Sequence, residues 1–188
     1  MNSYVDDDLS AIAWETMVLT LVRHAHAGSK RRWTGPDEQR PLTERGLAEA
    51  HGIAQRMRAQ PPYRLISSPL IRCRQTLEPI AAALDLPIEL SAALTPDATL
   101  EETLALITDL STDGCALCTH GEVLTGLLNR WRADGSPRVP VGARTAKGAM
   151  WILSGYPGPR ATAHYGPSHR AALSLSGPAE PATQTWPG

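Results

Sequence analysis

Two apolar runs far apart in the chain each end on a histidine. The run 17–22 leads into Arg23-His24, and Ala116-Leu117-Cys118 leads into Thr119-His120. Branched residues are frequent enough in the first run to predict a buried strand. A cation and an imidazole at the carboxyl end of such a strand stand where open α/β sheets place their ligands. A single Arg-His pair is better read as a hydrogen-bonded strand end. Two strands that each deliver a histidine to one edge form a constellation.

The rest of the chain fits an α/β domain. The 188 residues suffice for one domain with a substantial core, and 42% of them are hydrophobic, ordinary for a globular protein. A net charge of -1 gives no global attraction to nucleic acid or to an anionic membrane. No apolar run is long enough to span a bilayer. The acidic start, Asp6-Asp7-Asp8, is unlike a signal peptide. Three cysteines suit reduced thiols and a cytoplasmic location. Cys115 and Cys118 form a lone C-x-x-C whose side chains an extended strand points to opposite faces. They are read as small core residues rather than as a metal site.

In chain order, residues 1–16 read as a loosely held lead-in, 17–166 as the folded domain, and 167–188, rich in Pro, Ala, Ser and Gly, as a disordered tail. A polar, basic loop spans 28–41, with a turn at Gly35-Pro36-Asp37. Trp33 within it either covers apolar surface or stacks on a substrate. Thr43 caps a helix in which Leu47, Ala50, Ala54 and Met57 recur at helical spacing, and His51 lies on its surface. Leu65-Ile66-Ser67 reads as a second strand. Ser68 then caps a helix with Pro69 at its first position, kinked or ended at Pro79. A short strand at 87–90, a helix from about Thr99, the strand ending at His120 and a helix from near Glu122 follow. Late strands fall at 147–153 and 161–165. Strands alternating with helices predict a three-layer α/β/α sandwich around a mainly parallel sheet.

A third segment, Ser67-Ser68-Pro69-Leu70-Ile71-Arg72-Cys73-Arg74-Gln75-Thr76, places two arginines near a helix N-terminus. Backbone N–H groups there already favour an anion, and guanidinium groups add donors suited to phosphate oxygens. Arg72 is the stronger candidate. Arg74 divides evenly between this role and a solvated helix position.

With these segments in hand, the sequence resembles the histidine phosphatase superfamily, the phosphoglycerate mutase-like group. Four segments match in order: Leu21-Val22-Arg23-His24, then Arg40-Pro41-Leu42-Thr43-Glu44-Arg45-Gly46, then Ser67 to Arg72 with Gln75-Thr76, and Thr119-His120-Gly121. The resemblance spans about residues 18–153. The short chain looks most like the compact bacterial branch that includes SixA-type phosphohistidine phosphatases, and is similar to phosphatase domains fused to Nudix hydrolases. The resemblance implies a phosphoglycerate mutase-like fold and a phosphatase that needs no metal or other cofactor. His24 would be the nucleophile, with Arg23, Arg72 and His120 holding the phosphoryl oxygens. The sequence offers no acidic cluster of the kind Mg²⁺ sites use.

The family usually carries Gly after the Arg-His pair, where this chain has Ala25. The acid for the leaving group is open: Asp97 comes first by position, with Glu101 and Glu122 as alternatives. His26 reads as a strand-end neighbour. Lys30, Arg31 and Arg32 are candidates for additional substrate phosphates, against the competing reading of a solvated basic loop. Only the loops 28–41 and 90–99 look able to wall the pocket. The expected partner is a phosphorylated small molecule, a nucleotide or a phosphoprotein. A phosphoglycerate mutase-type phosphotransferase is disfavoured, because Ala25-His26 stands where mutases carry Gly-Glu. A non-catalytic phosphate-binding module is disfavoured by the intact Arg23, His24, Arg72 and His120. The sequence leaves the oligomeric state open.

Overall fold

A computed structural model describes residues 18–110, 114–140, 144–158 and 160–166. The readings of 1–16 as a lead-in and 167–188 as a tail lie outside the described residues. Six strands form one sheet: β1 (Val18–Arg23), β2 (Arg64–Ser67), β3 (Ile88–Leu90), β4 (Cys115–Thr119), β5 (Met150–Ser154) and β6 (Thr162–Gly166). Their order is β3-β2-β4-β1-β5-β6. The first four in that order are mutually parallel, and β5 pairs antiparallel with both β1 and β6. The expected mainly parallel sheet is present, extended at one side by two late strands.

Four helices complete the sandwich: α1 (Glu44–Met57), α2 (Ile71–Leu84), α3 (Leu100–Leu110) and α4 (Gly121–Asp134). Alternation along the strands divides the core between the faces. Val22, Leu65, Ala116, Cys118 and Met150 pack with Ile53 and Met57 of α1 and Cys73, Leu77 and Ile80 of α2. Leu19, Leu21, Cys115, Leu117, Trp151 and Leu153 pack with Ile107 of α3 and Leu124, Leu127, Leu128 and Trp131 of α4. Cys115 and Cys118 thus face opposite sides of β4, and both are free thiols. Among the described residues no helix is long and apolar enough to cross a membrane.

Local chemistry sets the helix starts. The Thr43 hydroxyl accepts from the Gly46 N–H and caps α1. Gly46 is required by contact: a Cβ there would stand 2.0 Å from the His26 carbonyl oxygen, so only glycine lets α1 approach the loop leaving β1. Thr99 and Glu102 form a reciprocal capping box before α3. Three readings need correction. Ser68 does not cap α2, whose N-cap is Leu70, because the Ser68 hydroxyl is engaged by His120. Of the kink or end expected at Pro79, the end is not found: α2 runs on to Leu84 with Pro79 inside it. Leu47, placed in the apolar stripe of α1, is exposed. His51 and Arg74 are solvated helix residues.

Candidate active site

Register brings the two histidines together. Arg23, the last residue of β1, pairs with Thr119, the last of β4, so His24 and His120 leave neighbouring parallel strands at the same level. The His24 N–H donates to the Thr119 carbonyl at 3.0 Å. The two rings lie edge to face with centroids 5.3 Å apart. β1 feeds α1 on one face and β4 feeds α4 on the other, so the pair occupies a switch point of the sheet, where such folds open a binding crevice.

Hydrogen bonds assign the state of His24. Its Nδ1 lies 2.8 Å from the Ala25 carbonyl. A carbonyl oxygen only accepts, so Nδ1 carries the proton and Nε2 keeps its lone pair. The ring is 5% exposed. Burial is the main cause that pushes its pKa down to about 2; the Ala25 carbonyl opposes this, and His120, Arg72 and Arg23 add to it. His24 is therefore a neutral imidazole at working pH, which a nitrogen nucleophile requires.

Two arginines flank it. Arg72, 3% exposed, donates through Nη1 to the Asp37 carbonyl (2.7 Å) and through Nη2 to its carboxylate (3.1 Å), and Nη2 lies 3.4 Å from His120 Nδ1. Arg23 donates through Nη1 to the Thr145 carbonyl. Burial lowers its pKa, with Glu122 opposing. Among the described residues the buried Nε–H groups of both arginines have no partner, which is costly unless an anion arrives to accept them. His120 is completed by Ser68 Oγ, 2.9 Å from its Nε2.

The arginine placements depend on neighbours. Arg72 and Arg40 converge on Asp37, with Lys30 at 3.8 Å. Burial alone would raise the Asp37 carboxyl; the Arg40 hydrogen bond and the charges of Arg72, Arg40 and Lys30 outweigh it and hold it below the usual carboxylate range. Thr76 Oγ1 accepts from the Ala25 N–H and donates to the Arg72 carbonyl, tying the loop after β1 to α2. A Cβ on Gly121 would sit 2.6 Å from Arg23 Cζ. Gly121→Ala is therefore expected to push the Arg23 guanidinium aside. Turnover should fall by about 10- to 100-fold, within the range for losing part of one transition-state contact. The melting temperature should barely move, because the displaced atoms end a flexible side chain. Steady-state kinetics beside a thermal melt check this, and an active Gly121→Ala would contradict it.

The structure thus brings together His24, Arg23, Arg72 and His120. Asp97 is exposed and lines a surface recess with Ala92, Thr95 and Glu102; among the described residues it makes no hydrogen bond or ion pair with the cluster. Glu101 is an exposed residue of α3, and Glu122, in the first turn of α4, acts electrostatically on Arg23. Lys30, Arg31 and Arg32 form one exposed turn, and among the described residues only Lys30 of the three reaches an ionic partner, Asp37. Trp33 is exposed and donates to the Pro36 carbonyl. His26 is bound to Thr43 Oγ1 through Nδ1, and its N–H donates to Glu49. Sequence reasoning missed Asp37, Thr76, Glu49 and the segment 145–148. Of these Asp37 left a signal in its i,i+3 spacing to Arg40, and Thr76 in its place within the matched segment after β2. The segment 145–148 lies against Arg23, His24 and Gly28.

Comparison with known proteins agrees. The profile of the histidine phosphatase superfamily (branch 1) matches residues 19–95. An 8-oxo-(d)GTP phosphatase of Mycolicibacterium smegmatis is 33% identical over 145 residues, 74% of this chain and 45% of the relative. The chain thus spans about half the length of that relative. The protein assigned as phosphohistidine phosphatase SixA in Agrobacterium tumefaciens superposes with a TM-score of 0.60 at 26% identity, covering 73% of this chain and 91% of that one. A protein histidine phosphatase SixA complexed with tungstate gives 0.61 at 22%, covering 84% and 99%. Together with the Arg-His pair, the second histidine and the phosphoglycerate mutase-like sandwich, these matches place the chain in the histidine phosphatase superfamily, among its SixA-like members.

Proposed function

We propose that this protein is a metal-independent phosphatase that works through a phosphohistidine on His24. The observation that carries the reading is the protonated, carbonyl-held Nδ1 of His24, which leaves Nε2 as a nucleophile beside two arginines, Arg23 and Arg72, whose buried Nε–H donors have no partner among the described residues. Nε2 attacks phosphorus, a P–N bond forms, and the bond to the leaving group breaks. Water then attacks the phosphohistidine, the P–N bond breaks, and inorganic phosphate departs. Such transfer is mainly positioning and charge neutralisation, which Arg23, Arg72 and His120 supply. Among the described residues no three His, Cys, Asp or Glu side chains gather as a metal site.

The leaving group bears on the substrate. Among the described residues no carboxylate, Asp97 included, hydrogen-bonds to either histidine. Substrates whose leaving groups need little protonation, a phosphohistidine or a phosphoanhydride, suit such a site better than sugar phosphates. The name of the mycobacterial relative and those of the SixA structures fall in these two classes. The three buried free thiols suit a reducing, cytoplasmic setting. One assay series tests the reading after dialysis against EDTA. Higher kcat/KM is expected on a phosphohistidine peptide or a nucleoside polyphosphate than on 3-phosphoglycerate or glucose 6-phosphate, with no gain from added Mg²⁺, Mn²⁺ or Zn²⁺. Activity restored only by a metal, or sugar phosphates as the best substrates, would count against it.

A further inference from the structure

The segment before β5 is fastened to the catalytic pair at three points. The Gly148 N–H lies 3.2 Å from both the Arg23 and His24 carbonyls, the Thr145 carbonyl accepts from Arg23 Nη1, and Lys147 Nζ donates to the Gly28 carbonyl at 3.3 Å. Lys147 is thereby held over the loop that leaves His24. Its ammonium is half-buried and its pKa is lowered, first by burial, then by Arg23 and Arg40, with Glu49 opposing and Arg45 adding to the fall. The surrounding charges are unevenly matched. Arg40 and Arg72 share Asp37, and Arg45 has Glu49. Among the described residues Arg23 and Lys147 make no ion pair. Lys147 and Arg23 bring like charges to this stretch, opposed at Arg23 by Glu122 and at Lys147 by Glu49, and a dianionic ligand would relieve their repulsion.

From this placement we propose that Lys147 binds a second phosphate of the substrate, next to the phosphoryl group that His24 accepts, and that it selects nucleoside di- or triphosphates over single phosphates. This rests on the phosphatase reading of the site. The basic turn at Lys30–Arg32 is less suited to the task, because its side chains are solvated. The reaction is the phosphatase step with a defined leaving group. His24 Nε2 forms the P–N bond to the terminal phosphorus and the bridging P–O bond breaks. The departing phosphate, one group shorter, carries off the electron pair and needs no carboxylic acid. Water then releases inorganic phosphate from His24. Lys147 stabilises the charge growing on the departing phosphate as well as the bound substrate.

ADP and p-nitrophenyl phosphate distinguish the possibilities in wild type, Lys147→Met and Lys147→Arg. The ratio of kcat/KM on ADP to that on p-nitrophenyl phosphate should fall about tenfold or more in Lys147→Met, the scale of one lost charge pair, mostly through KM for ADP. Lys147→Arg should restore most of the ratio. A ratio that stays within twofold of wild type in Lys147→Met, or a fall in kcat on both probes alike, overturns the assignment. The phosphatase reading has its own control in the same series: turnover of p-nitrophenyl phosphate must vanish in His24→Ala. If it persists, the reading of the site fails; if it vanishes and the ratio is unmoved by Lys147→Met, only the role of Lys147 fails.

Discussion

Replacing His24 by alanine is expected to lower kcat by roughly 10⁴-fold or more, the scale seen when a covalent nucleophile is removed. The size follows from the chemistry. Without Nε2 no P–N bond forms, and water would have to attack the substrate directly. The cations that surround His24 would still bind phosphate, so KM should change far less than kcat. The neutral state of the ring adds a pH signature. Because the His24 pKa lies at about 2, protonation of free His24 contributes no acidic fall in kcat/KM between pH 5 and 8. Any limb in that range belongs to another group or to the substrate. Kinetics of both proteins across this range test the claim, and a His24→Ala protein with near-normal turnover would refute it.

Arg72→Ala should cost about 10²- to 10³-fold in kcat, comparable to deleting one preorganised donor to a developing oxyanion. Arg72 is buried at the start of α2, and two of its donors are fixed by Asp37. The guanidinium is therefore oriented before substrate arrives. Arg72→Lys should recover little, because an ammonium cannot hold the Asp37 carbonyl and carboxylate while also facing His120 and a phosphoryl oxygen. Asp37 keeps Arg40 and Lys30 in either variant, so the loop should remain in place. Near-identical circular dichroism with a large fall in kcat is the expected pair of observations. A Lys variant within tenfold of wild type would show that charge alone suffices.

The parts of the site legible in the sequence are those carried by strand ends. His24 and His120 each stand two positions past the end of an apolar run, and pairing of Arg23 with Thr119 converts that pattern into proximity. Arg72 was legible through its place at a helix start. What stayed hidden is held by contacts between residues far apart in the chain. Asp37 reaches Arg72 across 35 positions and Lys147 reaches Gly28 across 119, and no local pattern encodes either. Ser68 misled for a physical reason: serine before proline is a good cap by propensity, but here its hydroxyl serves His120. Pro79 likewise favoured a helix end, yet Leu77 and Ile80 on either side are fully buried, and that packing carries α2 through it. Asp97 was chosen by position in a loop that buries Leu94 and leaves Asp97 exposed.

The most direct measurement is to quench the enzyme within its first turnover on a phosphate-labelled substrate, digest it under alkaline conditions and map the label by mass spectrometry. The phosphoryl group should be found on the imidazole of His24, labile to acid and resistant to alkali, and should disappear in His24→Ala. Label on any other residue, or turnover of wild type through no covalent intermediate, would contradict the mechanism.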